Sequence, residues 1–416
     1  MMQNLTPRKV LSRMKHKKTL VSINLANGGS TGRIMSNISS AARNHGYTTY
    51  QIYPDNDINR GKFYSDIIVC SKVAHKIYQR ICRYTGFNGC SAVVPTIRVL
   101  KKLDKIKPDI IHLHNLHNSY INLPLLFRYI KKNNIPVVWT LHDCWAFTGH
   151  CPHFIYQGCE KWKIGCYGCT EYKKYPISAF DDSKRMYALK KKWFLGVKNM
   201  QIITPSKWLA DLVKQSYLKE YPVRVINNGI DLSVFHPEYS DFREKFEIDD
   251  SMHIVLSVAF GWGEKKGLDI MIRLAETLPS NYKVVIVGTN AAVDKRLPEG
   301  MISIHRTHNQ QELIKIYSAA DLFVIPTRED NYPTVNMEAI ACGTPVLTFD
   351  VGGSAEIIDS KTGAAVKSDD FNALYREVIR ICEQKPYTQA DCLNRAKMFD
   401  VNKKNDEYID IYSKMI

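Results

Sequence analysis

The chain has 416 residues, 45% of them hydrophobic and 24% charged, which is enough apolar material for two ordinary cores and too much for a disordered chain. No apolar run approaches the ~18 residues that cross a bilayer, which excludes an integral membrane protein. The formal charge of +16 is divided unevenly: residues 1–240 hold 36 Lys and Arg against 14 Asp and Glu, and residues 241–416 hold 21 against 27. A basic half joined to an acidic half predicts two domains with different partners.

From the N-terminus, a basic extension over residues 1–18 leads straight into Thr19–Ala26. That run is too short and too strand-like for a signal peptide, so an intracellular chain with mostly reduced cysteines is expected. Basic residues cluster in Arg8–Lys18, Lys72–Lys107 and Lys184–Lys192. In the second cluster they interleave with Ile77, Tyr78, Ile81, Val99 and Leu100. This pattern suits an amphipathic helix on an anionic membrane surface, and equally a solvated helix face.

Strands are predicted at Thr19–Ala26, Thr48–Tyr53, Asp66–Cys70, Asp109–His114, Pro136–His142, Gln201–Pro205 and Val223–Ile226. A second series follows at His253–Ala259, Lys283–Gly288, Ile302–Arg306, Leu322–Pro326 and Pro345–Phe349. Helical-period segments separate them, and runs such as Val284-Val285-Ile286-Val287 lack alternation, as strands covered on both faces do. The fold class is therefore α/β, with two doubly wound Rossmann-like domains facing a central cleft. The expected boundaries are 19–232 and 233–398, with turn signals near Asn227–Tyr239 at the junction. An amphipathic C-terminal helix over 399–416 carries Tyr408, Ile411 and Tyr412 and is expected to pack back on the first domain.

Two segments carry the chemistry. Gly28, Gly29 and Gly32 follow the first strand where a helix begins, an arrangement that lets backbone amides meet an anion. Their spacing fits neither a Walker loop nor the dinucleotide fingerprint, and a merely structural turn explains it equally well. In the second half, a buried strand ends at Pro326 and a helix is expected near Pro333, with Asp330 in the loop and Glu338 in the helix. A helix N-terminus attracts phosphate, while carboxylates hold sugar hydroxyls. A nucleotide-sugar meets both demands in one ligand.

The pair Asp330 and Glu338, with seven residues between them, resembles the acidic pair of the retaining family 4 glycosyltransferases, whose fold is GT-B. Further segments match that family in order: the Gly28–Gly32 loop, Thr204–Leu209, Val225–Asp231, Lys266-Gly267, Tyr317–Asp321 and Val351-Gly352-Gly353 with Glu356. The likeness is strongest to transferases that assemble bacterial capsule, O-antigen or exopolysaccharide. It implies that Glu338 binds the ribose and that Asp330, with Glu329 as a rival, holds the donor sugar. It further implies that Lys266 neutralises the diphosphate. Gly261 stands where relatives have an arginine, leaving Lys265 as the substitute charge. Asn331, Tyr332, Pro333 and Thr334 are assigned with these residues to donor binding.

In the first half, His142 ends a strand at the cleft edge, and the resemblance places it beside the reacting sugar. His112 and His114 alternate along the preceding strand and so face one side. They line the acceptor site with Asp143 or are packed core histidines. No additional carboxylate suggests a covalent nucleophile, and the resemblance implies front-face attack with retention and no catalytic cofactor. The implied partners are a UDP-sugar and a glycan or lipid-linked acceptor, with peripheral contact to an anionic membrane and no nucleic acid. The implied place is the cytoplasm, at the inner face of the plasma membrane.

Five cysteines fall within Cys144–Cys169. Cys166 and Cys169 have the two-residue spacing of a zinc knuckle, and Cys151 and Cys159 complete four thiolates for a structural zinc. Iron–sulfur ligation and packed thiols are the alternatives. Two other functions compete with the transferase. A nucleic-acid-binding protein would use the basic half and the cysteines, and a nucleotide-sugar epimerase would use the same fold.

Overall fold

The computed structural model describes residues 17–59, 61 and 65–416, so most of the basic segment Arg8–Lys18 lies outside the described residues. The first sheet contains β1 (Thr19–Ile23), β2 (Thr48–Tyr53), β3 (Ile67–Ile68), β4 (Ile110–Leu113), β5 (Val137–Thr140), β6 (Met200–Thr204) and β7 (Val223–Val225). The second contains β8 (His253–Val258), β9 (Tyr282–Val287), β10 (Ile302–Ile304), β11 (Leu322–Ile325), β12 (Val346–Phe349) and β13 (Gly363–Val366). Every pairing is parallel, in the orders β3-β2-β1-β4-β5-β6-β7 and β10-β9-β8-β11-β12-β13. Parallel strands need crossover helices on both faces, which is why β1, β4, β5, β11 and β12 are buried along their whole length.

The order of each sheet reverses once, between β1 and β4 in the first and between β8 and β11 in the second. Loops leaving the carboxyl ends of such a strand pair diverge and open a crevice. The Gly28–Gly32 loop follows β1 and the His114–His117 segment follows β4, while Lys265-Lys266 follows β8 and Glu329-Asp330 follows β11. These four segments thus lie at the two switch points, and His142-Asp143 leaves the carboxyl end of β5, the strand next to β4. Twelve strands fall where the sequence predicts them, nine of them one to three residues shorter. β13 is additional: Gly363-Ala364-Ala365-Val366 has little intrinsic strand preference and is held by its pairing with β12.

The chain crosses between domains twice, side by side. The Ile230 amide donates to the Phe399 carbonyl at 2.8 Å, and the Val401 amide to the Ile230 carbonyl at 3.0 Å. A Cβ on Gly229 would stand 2.6 Å from Val401 Cα, so only glycine permits the crossing. The Val401–Met415 helix then returns to the first domain, as expected, burying Tyr408, Ile409, Ile411 and Tyr412 among Leu20, Ile38, Tyr47, Ile110, Val138 and Ile203.

Candidate active site

The acidic loop is built from its backbone outward. The Arg328 amide donates to the Lys265 carbonyl at 2.9 Å, tying together the loops that leave β8 and β11. Gly352 and Gly353 lie against the same loop: a Cβ on Gly352 would stand 1.8 Å from the Asp330 carbonyl oxygen, and one on Gly353 2.1 Å from that of Asn331. This close approach explains the glycine pair in the sequence motif. On that scaffold Lys266 Nζ meets Asp330 Oδ2 at 2.6 Å and Lys265 Nζ meets Glu329 Oε1 at 3.0 Å. The nearby arginine, Arg328, is committed elsewhere, to Asp269 and Asp369. The two lysines thus offer positive charge at the loops that leave β8 and β11, and each rests on a carboxylate.

Glu338 lies in the Thr334–Ala341 helix, whose N-cap position is Pro333. The Tyr317 hydroxyl donates to Glu338 Oε2 at 3.1 Å. Burial raises the Glu338 carboxyl above its ordinary value, against the opposing effects of the Tyr317 hydroxyl, the Arg33 charge and the Thr334 hydroxyl. Arg33 belongs to the first domain, one residue past Gly32, so the glycine loop and the ribose candidate face each other across one cleft. In that loop Gly29 has φ +68°, and a Cβ on Gly32 would stand 2.6 Å from the Asn27 carbonyl carbon.

Across the cleft, His114 Nδ1 and His142 Nε2 are 3.1 Å apart, and the two rings stack. Burial holds His142 down at about 4, with the Asp143 carboxylate pulling upward and His117 downward. His114 is lowered well below its usual range, again chiefly by burial, and its Nε2 has no partner. Asp143 is buried, which alone would raise it, but the charge and hydrogen bond of His117, 3.0 Å away, hold it at about 2.

The structure separates His112, inside β4, from His114, just past its end. His114 reaches the site, whereas His112 is a core residue beneath it. The Thr140 hydroxyl donates to Tyr408 at 3.2 Å and so accepts from His112 Nε2 at 2.8 Å. The Tyr412 hydroxyl then donates to His112 Nδ1 at 2.6 Å. With both ring nitrogens used, His112 has none to offer an acceptor.

Several contacts join the halves directly. The Asn331 carboxamide donates to the His142 carbonyl at 3.0 Å and accepts from the Ser206 hydroxyl at 2.6 Å. The Glu356 carboxylate accepts from the amides of Lys207 and Trp208 at 2.8 and 2.7 Å, capping the Lys207–Gln215 helix from the other domain. Sequence reading contained Ser206 and Glu356 within its matched segments without giving them a task. It had no signal for Tyr156, whose amide donates to Glu329 Oε2 at 3.3 Å and whose hydroxyl donates to Glu264. Through Tyr156 the cysteine-rich insert touches the donor side of the cleft.

The insert does not assemble the expected zinc set. Cys151, Cys159, Cys166 and Cys169 line one small cavity, but among the described residues no three His, Cys, Asp or Glu side chains are placed to hold a metal ion. The free thiol of Cys151 donates a hydrogen bond to Cys169 Sγ, while Cys166 Sγ accepts from the Gly149 amide at 3.0 Å. Phe147, Phe154 and Trp162 pack together as the core of this segment.

The family described as Glycosyltransferase Family 4 matches residues 32–234, and that described as Glycosyl transferases group 1 matches residues 239–399. A protein of Escherichia coli strain K12 named for colanic acid biosynthesis, the glycosyl transferase WcaC, is 24% identical over 84% of this chain and 86% of its own. Sucrose-phosphate synthase of Thermosynechococcus elongatus has the same fold, with TM-score 0.69 at 17% identity, over 95% of this chain and 98% of that one. Anabaena HepE, solved with UDP-glucose, superposes with TM-score 0.64 at 13% identity, over 95% and 99%.

Proposed function

The chain belongs to the group 1, family 4 glycosyltransferases with the GT-B fold, and on that premise we propose a retaining transfer from a UDP-sugar to a glycan or lipid-linked glycan in bacterial surface polysaccharide assembly. The observation that carries this reading is the cleft itself. Lys266 with Asp330, and Glu338 with Arg33, stand at facing switch points, supplying cation and carboxylates to one ligand. The surface-polysaccharide setting is supported by the likeness to WcaC, and the uridine nucleotide by the likeness to HepE.

In this reading Glu338 accepts hydrogen bonds from the ribose hydroxyls and Asp330 from the donor sugar. Lys266, Lys265 and the Gly28–Gly32 amides stabilise the diphosphate as it gains charge. The acceptor oxygen attacks the anomeric carbon on the face the diphosphate leaves; the carbon–oxygen bond to phosphate breaks, and the departing phosphate oxygen takes the acceptor proton. His114 and His142, both held neutral, flank the reacting carbons without competing for that proton. The step uses positioning and charge stabilisation, with no covalent intermediate and no cofactor. No described helix is long and apolar enough to cross a membrane; the basic first domain would instead seat the enzyme on the anionic inner face of the plasma membrane.

Saturation-transfer NMR against a panel of nucleotide-sugars tests the donor, and the anomeric coupling constant of the product tests the stereochemistry. Binding of UDP-sugars with an inverted product would overturn retention. No UDP-dependent signal would overturn the donor assignment.

A further inference from the structure

One short turn of the cysteine-rich insert touches both sides of the cleft. Glu171 Oε2 lies 3.9 Å from Lys265 Nζ of the second domain, and Tyr175, four residues on, donates its hydroxyl to His117 Nδ1 at 2.8 Å. We propose that the Glu171–Tyr175 turn positions the acceptor in response to the donor. A diphosphate that takes Lys265 releases Glu171, and the turn draws Tyr175 off His117. The freed ring nitrogen then holds a hydroxyl of the acceptor sugar beside the reacting one, whose proton still goes to the departing phosphate. This deepens the transferase reading, on which the words donor and acceptor rest.

Lys265 is shared unequally between two carboxylates. Glu329 Oε1 holds it at 3.0 Å, and Glu329 is itself fixed, because its side chain is 3% exposed and its second oxygen accepts from the Tyr156 amide. Glu171 stands further from Lys265 and has another cation, Lys174, at 3.0 Å. Coulomb attraction falls with separation, and a diphosphate adds negative charge beside both carboxylates. The one that yields is the one with the longer contact and the alternative partner. Paired with Lys174, Glu171 is not left as an uncompensated charge.

The turn is compact enough to carry the change. The Lys174 amide donates to the Glu171 carbonyl and the Ser178 amide to the Tyr172 carbonyl, each at 2.8 Å, so residues 171–178 form one folded unit. Tyr175 is 45% exposed and meets His117 edge-on, so lifting it gives up one hydrogen bond and only part of a ring's packing. His117 is buried between Tyr175 and Trp145. Its Nε2 is paired with the Asp143 carboxylate at 3.0 Å, which leaves Nδ1 as the acceptor. His117 lines one small cavity with His114, His142 and Asp143. The tyrosine hydroxyl on Nδ1 thus fills the place of an alcohol, the group that a sugar acceptor presents.

The test uses the full chain with 15N-labelled histidine, the His117 Nδ1 resonance being identified by its loss in His117→Gln. Inorganic pyrophosphate and UDP are the two ligands, and each is also titrated by calorimetry. Both should move the resonance towards its position in Tyr175→Phe without ligand. Glu171→Gln should bind both more tightly than the parent by about threefold or more, the scale of a part-exposed charge pair. Its His117 resonance should no longer respond to them, and Lys265→Gln should lose the response as well. Unchanged or weaker binding by Glu171→Gln would mean that the carboxylate does not contest Lys265, and would overturn the proposal. A His117 resonance at its parental position in Tyr175→Phe would do the same. UDP binding with His117 unmoved at saturation would sink this coupling and leave the transferase reading standing. Pyrophosphate moving His117 while UDP fails to bind would remove the uridine donor and leave the coupling. Binding of neither ligand would overturn both.

Discussion

The Glu356 carboxylate of the second domain accepts the Trp208 amide of the first at 2.7 Å. The free N–H groups at a helix start carry partial positive charge and favour an anion, so one side chain couples the domains at the edge of the cleft. Ser206, the helix's own N-cap, accepts from Leu209 while its hydroxyl donates to Asn331. Domain closure and helix capping are therefore one network.

Replacing Glu356 by Ala should cost about 0.5–2 kcal/mol, the usual value of a lost cap. A lower thermal midpoint and a larger radius of gyration by solution scattering would report the loss of both functions. An unchanged radius would mean that the domains are held by Asn331 and the paired crossings alone.

Glu338→Ala should remove two charge-assisted hydrogen bonds to the donor, at about 1.5–3 kcal/mol each, and lower kcat/KM by about 10² to 10⁴. Circular dichroism should keep its shape, with the thermal midpoint lowered because the buried Tyr317 hydroxyl loses its partner, a cost of about 1–3 kcal/mol. Turnover within a few-fold of the parent would remove the ribose assignment.

Gly353→Ala would place a methyl 2.1 Å from the Asn331 carbonyl oxygen and 2.6 Å from Ser206 Cβ. The acidic loop must then shift, with an overpacking cost of about 1–3 kcal/mol and weakened UDP binding by calorimetry. Gly263→Ala is the control, since a Cβ there meets nothing within 4 Å. Equal effects of the two would dissociate the glycine pair from the donor loop.

Acid should destabilise the first domain before its carboxylates titrate. Burial holds His112 at about 3 and His142 at about 4, against about 6.5 in an unfolded chain. Between those limits the unfolded state binds more protons, so stability falls as pH drops from about 6.5 towards 4. Asp143, held at about 2, has the opposite origin: its contribution is complete above the unfolded value of about 3.9 and is lost only below it. Thermal midpoints measured from pH 7 to pH 4 should decline, and His142→Gln should flatten the decline. A flat parent profile would contradict neutral, buried histidines.

Much of this arrangement was legible in the residues. Unalternating apolar runs such as Val284–Val287 require a strand with both faces covered, and their repetition between helices requires parallel sheets. Asp330 could be placed in the loop after a buried strand and Glu338 in the helix that follows, because strand, turn and helix signals are local, whereas Lys266 is assigned through the family resemblance alone. Less local features escaped. His112 and His114 share a face of the predicted strand, yet only the return of the C-terminal helix, with Tyr408 and Tyr412, converts His112 into a core residue. The four cysteines have ligand-like spacing, yet they line one cavity without converging as a ligand set among the described residues.

The order of residues alone determined two Rossmann-like domains, the switch-point loops and the types of side chain offered to a nucleotide-sugar, since periodicity, turn chemistry and burial preference act over a few residues. The tertiary structure decided which of those side chains meet. Glu356 on the Lys207–Gln215 helix, Asn331 on His142, Arg33 near Glu338 and Tyr156 on Glu329 join residues more than a hundred positions apart, and their geometry is set by how two separately folded sheets dock across a hinge.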